Sequence, residues 1–165
     1  MIVARRNARI GSAVVLTLTA AVGLSGCGSA VSTVDPSEAR ESVVTAVEAT
    51  TAAVGGDWTL YRGPWPEVCE QPGGRDGARF VYILEREGAD GPAPAADTRT
   101  VDELWQGRGI ATQPYRSGSS APLIGITGVG GPVDSIEFRA YRQGYTVSGA
   151  SWCFDGDVGE LRESG

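Results

Sequence analysis

The chain contains no histidine and no lysine, and all fourteen of its basic residues are arginine. Without an imidazole there is no histidine base or ligand, and without an amine there is no Schiff-base chemistry. Asp and Glu, 20 together, are the common acid and base groups the chain retains. Methionine occurs only at position 1, and the three cysteines, Cys27, Cys69 and Cys153, are too few and too scattered for a thiolate zinc site. No catalytic residue, metal site or cofactor is therefore predicted. Glycine (24) and proline (9) are abundant, a fifth of the 165 residues, beside 41% hydrophobic residues. That balance suits one loop-rich domain with a core.

The N-terminus holds the longest apolar run. Residues 1–9 carry Arg5, Arg6 and Arg9 and no acid, and residues 13–24 are mostly apolar. A run of that length fits the signal-peptide core of about 7 to 15 residues and falls short of the about 20 that span a bilayer. It closes on Leu24-Ser25-Gly26-Cys27, which resembles the lipobox of bacterial lipoproteins. Small side chains let a signal peptidase reach the backbone, and the cysteine thiol takes a diacylglycerol in thioether linkage. The resemblance implies a signal peptide over 1–26, a cysteine at 27 carrying diacylglycerol and palmitate-type chains, a tether over 27–34, and one domain over 35–165. It places that domain on the extracytoplasmic face of the cell membrane. The alternative is an ordinary secretory signal cut nearby, with Cys27 incidental. Twin-arginine export fits less well, because Asn7-Ala8-Arg9 lacks the apolar residues that should follow Arg5-Arg6.

Removing residues 1–26 takes away three arginines and leaves 139 residues, with eleven arginines against 20 acids, a net charge of −9. Such a body repels nucleic-acid phosphates and anionic headgroups, so neither nucleic-acid binding nor a polybasic membrane patch is expected. The membrane partner is reached through the lipid on Cys27, where two or three chains add about 0.8 kcal/mol per buried CH₂. Arginine without lysine, beside much Ala, Gly and Val, is what GC-rich codons produce and points to an actinobacterial source. With Cys27 committed to lipid, Cys69 and Cys153 remain in an oxidising setting and read as a disulfide. A redox-active or free thiol is the rival, but neither lies in a C-x-x-C motif and no histidine activates it.

Asp35-Pro36-Ser37-Glu38 places an acceptor at the N-cap, proline at the first helical position and glutamate at the third. Ala39, Val43, Val47, Thr50 or Thr51, and Val54 continue one apolar stripe until Gly55-Gly56 stops the helix. Trp58 and Leu60 alternate in a short strand over 57–62, followed by a Pro- and Gly-rich loop over 63–77 that carries Cys69. Residues 78–86, apolar on both faces from Phe80 to Leu84, predict a central strand covered on more than one side. After a loop over 87–98, Thr100-Val101-Asp102-Glu103 reads as a second capping box. It opens a short helix that presents Val101, Leu104 and Trp105 and ends near Gly107 or Gly109. Strands follow at 110–115, 123–129, 135–142 and 145–154, with a hairpin turn at Gln143-Gly144.

This order predicts an α+β fold: a two-layer sandwich with two helices packed on one face of a mostly antiparallel four- to five-stranded sheet. The lipobox, an early helix, a Trp/Pro segment leading to one Cys, a short Trp-bearing helix ending in Gly, and a Cys in the last strand together resemble small actinobacterial lipoproteins of the mycobacterial LppA type. The resemblance implies a surface-anchored protein and carries over no catalytic residue.

Between Asp57 and Pro66 lie Trp58, Tyr61 and Trp65 with two prolines and Arg62. Stacked rings beside an arginine suit a sugar ring or a Pro-rich peptide, and their structural alternative is to seal the core edge near the disulfide. Asp155-Gly156-Asp157-Val158-Gly159-Glu160 alternates carboxylates, but a calcium loop has no glycine at position 5, so the segment reads as a turn. The glycines from 125 to 131 precede Pro132 and lack a lysine, which makes them a hairpin rather than a phosphate loop. The serines of 117–120 have neither a histidine base nor a nucleophile elbow. The expected function is that of a membrane-anchored cell-envelope lipoprotein, a noncatalytic binding or accessory domain whose partner is an envelope protein or glycan. Two alternatives stand beside it. A carboxylate-dependent envelope hydrolase would hold two carboxylates about 5 to 9.5 Å apart in a groove. A lipid carrier would hold a large apolar cavity.

Overall fold

A computed structural model describes residues 34–88, 93–119 and 122–164. The expected signal peptide, Cys27 and the expected tether up to position 33 lie outside the described residues. Helix α1 (Pro36–Val54) begins as its sequence dictates. Asp35 is extended, and its carboxylate accepts from the Ser37 amide at 2.8 Å and from the Ser37 hydroxyl. At the far end the Gly55 amide closes on Thr51 O. Ala39, Val43, Ala46, Val47 and Thr50 form the buried stripe.

Six strands build one antiparallel sheet: β1 (Thr59–Gln71), β2 (Arg75–Glu87), β3 (Ala111–Ser117), β4 (Leu123–Gly130), β5 (Val133–Tyr141) and β6 (Gly144–Ala150), in the order β1-β2-β6-β5-β4-β3. Helices α2 (Pro94–Gln106) and α3 (Val158–Glu163) complete the described residues. The α+β sandwich is as expected, but the sheet has six strands rather than four to five, and a third helix replaces the turn foreseen at 155–160. Asp157 caps α3 by accepting from the Glu160 amide at 3.0 Å.

The largest departure from the sequence reading is β1. It runs thirteen residues, straight through the segment expected to be a loop. The reason is its place at the sheet edge. Phe80 donates its amide N–H to Ser151 Oγ and its carbonyl accepts from the Ser151 amide, while Ala78 exchanges both backbone bonds with Phe154. Opposite them, Pro66 and Val68 therefore turn their backbone groups to the free edge. Proline costs no ladder bond there and offers no donor to a foreign strand. Register shifts on either side of Arg62 absorb the irregular stretch around Pro64. The opposite edge strand, β3, also carries a proline, Pro114.

Helix α2 starts at Pro94, with Ala93 at the N-cap and no side-chain cap. The supposed capping box at Thr100 lies inside it, the Thr100 hydroxyl bonding back to Ala96 O. Proline at the first helical position set the start. The last hairpin turns at Arg142 and Gln143, because Tyr141 pairs with Gly144. In β2, Phe80 and Leu84 are buried, but Val81 and Ile83 on the other face are only half-buried.

Helix α1 packs across β2 and β6, and α2 across β4 and β5. The seat of α1 is Gly149, where an added Cβ would lie 2.9 Å from Val47 Cγ2 and 3.0 Å from Val43 Cγ2. Gly149→Val is expected to push the helix off the sheet and lower stability by about 1 to 3 kcal/mol. Urea titration checks this, and an unchanged midpoint would contradict the close seat.

Candidate ligand groove

Cys69 and Cys153 form a disulfide with their Cα atoms 6.0 Å apart. Cys69 stands opposite Gly77, where a Cβ would come 2.7 Å from Phe154 O and 3.0 Å from Cys153 Sγ. Glycine thus lets the bridge pass. It fastens the edge strand to the segment that leaves β6.

The three aromatic candidates do not share one platform. Trp58 packs half-buried on the core and donates its indole N–H to Gly55 O at 3.0 Å, closing the end of α1. Tyr61 is 66% exposed. Trp65 is 42% exposed and lies under the Arg162 guanidinium, 5.2 Å from ring centroid to Cζ. Of the three, Trp65 lines a groove of about 330 Å³.

That groove lies where three elements meet. From β1, Pro64, Trp65 and Pro66 form one wall, and from α3, Leu161 and Arg162 form another. The first two turns of α1 supply Ser37 and Arg40, and the floor is Phe80, which packs against Phe154 with centroids 5.5 Å apart. Arg162 is held in place: its face stacks on Trp65 and one N–H reaches Pro66 O at 3.3 Å. Arg40 has no ion-pair partner among the described residues. Beside the groove, two hydrogen bonds from Ser37 hold the Asp35 carboxyl below the usual carboxylate range.

Among the described residues, two guanidinium groups and no carboxylate side chain line this groove. Other surface grooves differ in that respect. Glu38 and Glu41 flank one beside Arg108, Asp102 joins Arg99 and Arg116 in another, and Glu85 and Glu87 sit with Arg86 in a third. The chemistry on offer around Trp65 is recognition of an anionic group that carries an apolar body. Sequence reasoning found Trp65 but missed Arg40, Leu161 and Arg162. The Asp157 cap was the one local signal that could have revealed α3 and its arginine.

Other polar clusters tie elements together. The buried Tyr145 donates its hydroxyl to Asp97, and Arg86 lies over its ring at 5.1 Å while bonding Gly55 O at 2.9 Å. Burial first, and then Asp97, push the Tyr145 phenol far above its usual value. On the opposite face of the sheet, Tyr115 covers Gly125 and donates to Glu137 Oε1 at 2.6 Å, and Glu137 also pairs with Arg139 at 2.7 Å. Burial and the Glu137 bond raise the Tyr115 phenol. Asp155 accepts from Gln71 Nε2 at 2.8 Å and lies 3.7 Å from Arg75. No cluster of three metal-ligating side chains occurs among the described residues. No described helix is long and apolar enough to cross a membrane.

No protein-family model and no curated protein matches the chain. Among solved structures, the fold is similar to the crystal structure of a DUF4853 family protein from Actinomyces odontolyticus. The TM-score is 0.55 at 19% sequence identity, over 76% of this chain and 70% of that one. At that identity the likeness is one of fold.

Proposed function

We propose that the chain is a cell-envelope lipoprotein of the small actinobacterial type, anchored through acylated Cys27, whose domain is a noncatalytic binding or accessory module. The observation that carries this reading is the pairing of Cys69 with Cys153. A structural disulfide belongs to an exported protein, and it leaves Cys27 as the one cysteine outside the bridge. Helix α1 begins at Pro36, so only a short tether separates the lipid from the domain. An envelope protein or glycan is the partner class of such an accessory domain.

Intact-mass measurement of the membrane fraction is expected to find a chain that begins at Cys27 and carries acyl groups. Cys27→Ala is expected to release nearly all of the protein from the membrane. Full retention of the alanine variant, or a wild-type chain that is soluble, would refute the anchor.

A further inference from the structure

The eight residues of the tether, 27–34, reach at most about 28 Å when fully stretched. With Cys27 acylated, the first turn of α1 cannot move further than that from the headgroup layer, and that turn is one side of the Trp65 groove. The groove therefore stays within about that reach of lipid whatever else the domain contacts. Its chemistry also fits a lipid. The mature chain has a net charge of −9, yet Arg40 and Arg162 line this groove with no carboxylate side chain among its described walls. Arg162 uses one face on Trp65 and one N–H on Pro66 O. A guanidinium has five N–H donors, so others remain for an anion. Tryptophan is enriched at the level of the headgroups, where arginine also serves as an anchor.

We propose that the groove seats the headgroup of an anionic phospholipid of the anchoring bilayer. Arg40 and Arg162 hold the phosphate, and Trp65 and Leu161 lie against the glycerol and upper acyl region. The proposal rests on the reading that Cys27 is acylated. The general repulsion of an acidic body from anionic lipid is overcome locally because the fold brings together two arginines from opposite ends of the domain. A free phosphate ion lacks the apolar part that would use Trp65 and Leu161, so the committed ligand is the membrane lipid.

The test uses the full acylated chain in vesicles whose lipids carry bromine high on the acyl chain, with tryptophan emission as the readout. Subtracting the Trp65→Phe protein isolates the Trp65 signal from the other tryptophans. Quenching of Trp65 is expected to be stronger when phosphatidylglycerol is present than in phosphatidylcholine alone. Arg40→Gln, an exposed substitution, is expected to cut that difference about fivefold. Arg162→Gln should do the same, with its thermal midpoint checked because its Pro66 bond is also lost. Three results would overturn the proposal: quenching equal with and without Trp65, quenching indifferent to anionic lipid, or displacement by inorganic phosphate. The intact mass of the same sample separates the two ideas. An unacylated chain refutes the anchor and the proposal with it, whereas an acylated chain without a Trp65 signal refutes the groove alone.

Discussion

The Cys69→Ser/Cys153→Ser protein is expected to lose about 2 to 5 kcal/mol of folding stability relative to the oxidised wild type. The two cysteines are 84 positions apart, and in the chain-entropy model closing so long a loop restricts the unfolded chain by about 4 to 5 kcal/mol. The folded side of the balance points the same way. Strand β1 is an edge with β2 as its one strand neighbour, and its prolines leave it irregular around position 64. The bridge fixes its C-terminal half to the segment after β6, next to Phe154 and the start of α3. For a domain of ordinary stability, about 5 to 15 kcal/mol, the loss is a large fraction of the whole. Urea titration of the double-serine protein measures it. Equal midpoints for that protein and the oxidised wild type would mean the bridge contributes nothing. Stoichiometric thiol labelling of the unfolded, unreduced wild type would mean that it does not form in solution.

What the sequence made legible was whatever is decided within a few residues. The Asp35-Pro36-Ser37 start of α1 is a local event, and so are its Gly55 stop, the Gly131-Pro132 turn and the alternation of Ile136, Phe138 and Ala140 in β5. The length of β1 was not legible, because proline breaks a strand or guards an edge according to which neighbours the strand has. Only the sheet order decides that. The start of α2 was misplaced because Thr100-Val101-Asp102-Glu103 is a convincing cap by pattern, while the real start at Pro94 has no side-chain cap to signal it. The groove was the least legible feature. Trp65, Arg40 and Arg162 come from β1, α1 and α3, and nothing in their spacing says that the edge strand carries one arginine's ring partner to the first turn of the other's helix. The disulfide, in contrast, followed from counting. With Cys27 read as the lipidation site, two remained.

The second large effect is expected in the layer between the helices, where Trp105→Ala should cost about 3 to 5 kcal/mol. Trp105 is 1% exposed, and its ring covers Gly128, where even a Cβ would come within 3.0 Å of Cε3. Removing the indole leaves a cavity that a glycine below cannot fill. The ring also carries the buried link between helices: Nε1–H donates to Thr50 Oγ1 at 2.9 Å, and that hydroxyl donates to Ala46 O at 2.8 Å. Trp105→Phe keeps most of the apolar contact and empties one acceptor site on a hydroxyl that is still bonded. Its hydrogen-bond loss is therefore expected to be near 1 kcal/mol. Thr50→Val is the harsher of the two for the polar link, because it leaves the indole N–H buried without an acceptor, at about 1 to 3 kcal/mol. In Trp105→Phe/Thr50→Val both ends are apolar and nothing is orphaned, so the double variant should be destabilised by less than the sum of the singles. Additive losses would show that the α1–α2 contact rests on ring volume alone. A shortfall of about 1 kcal/mol or more would assign that part to the hydrogen bond.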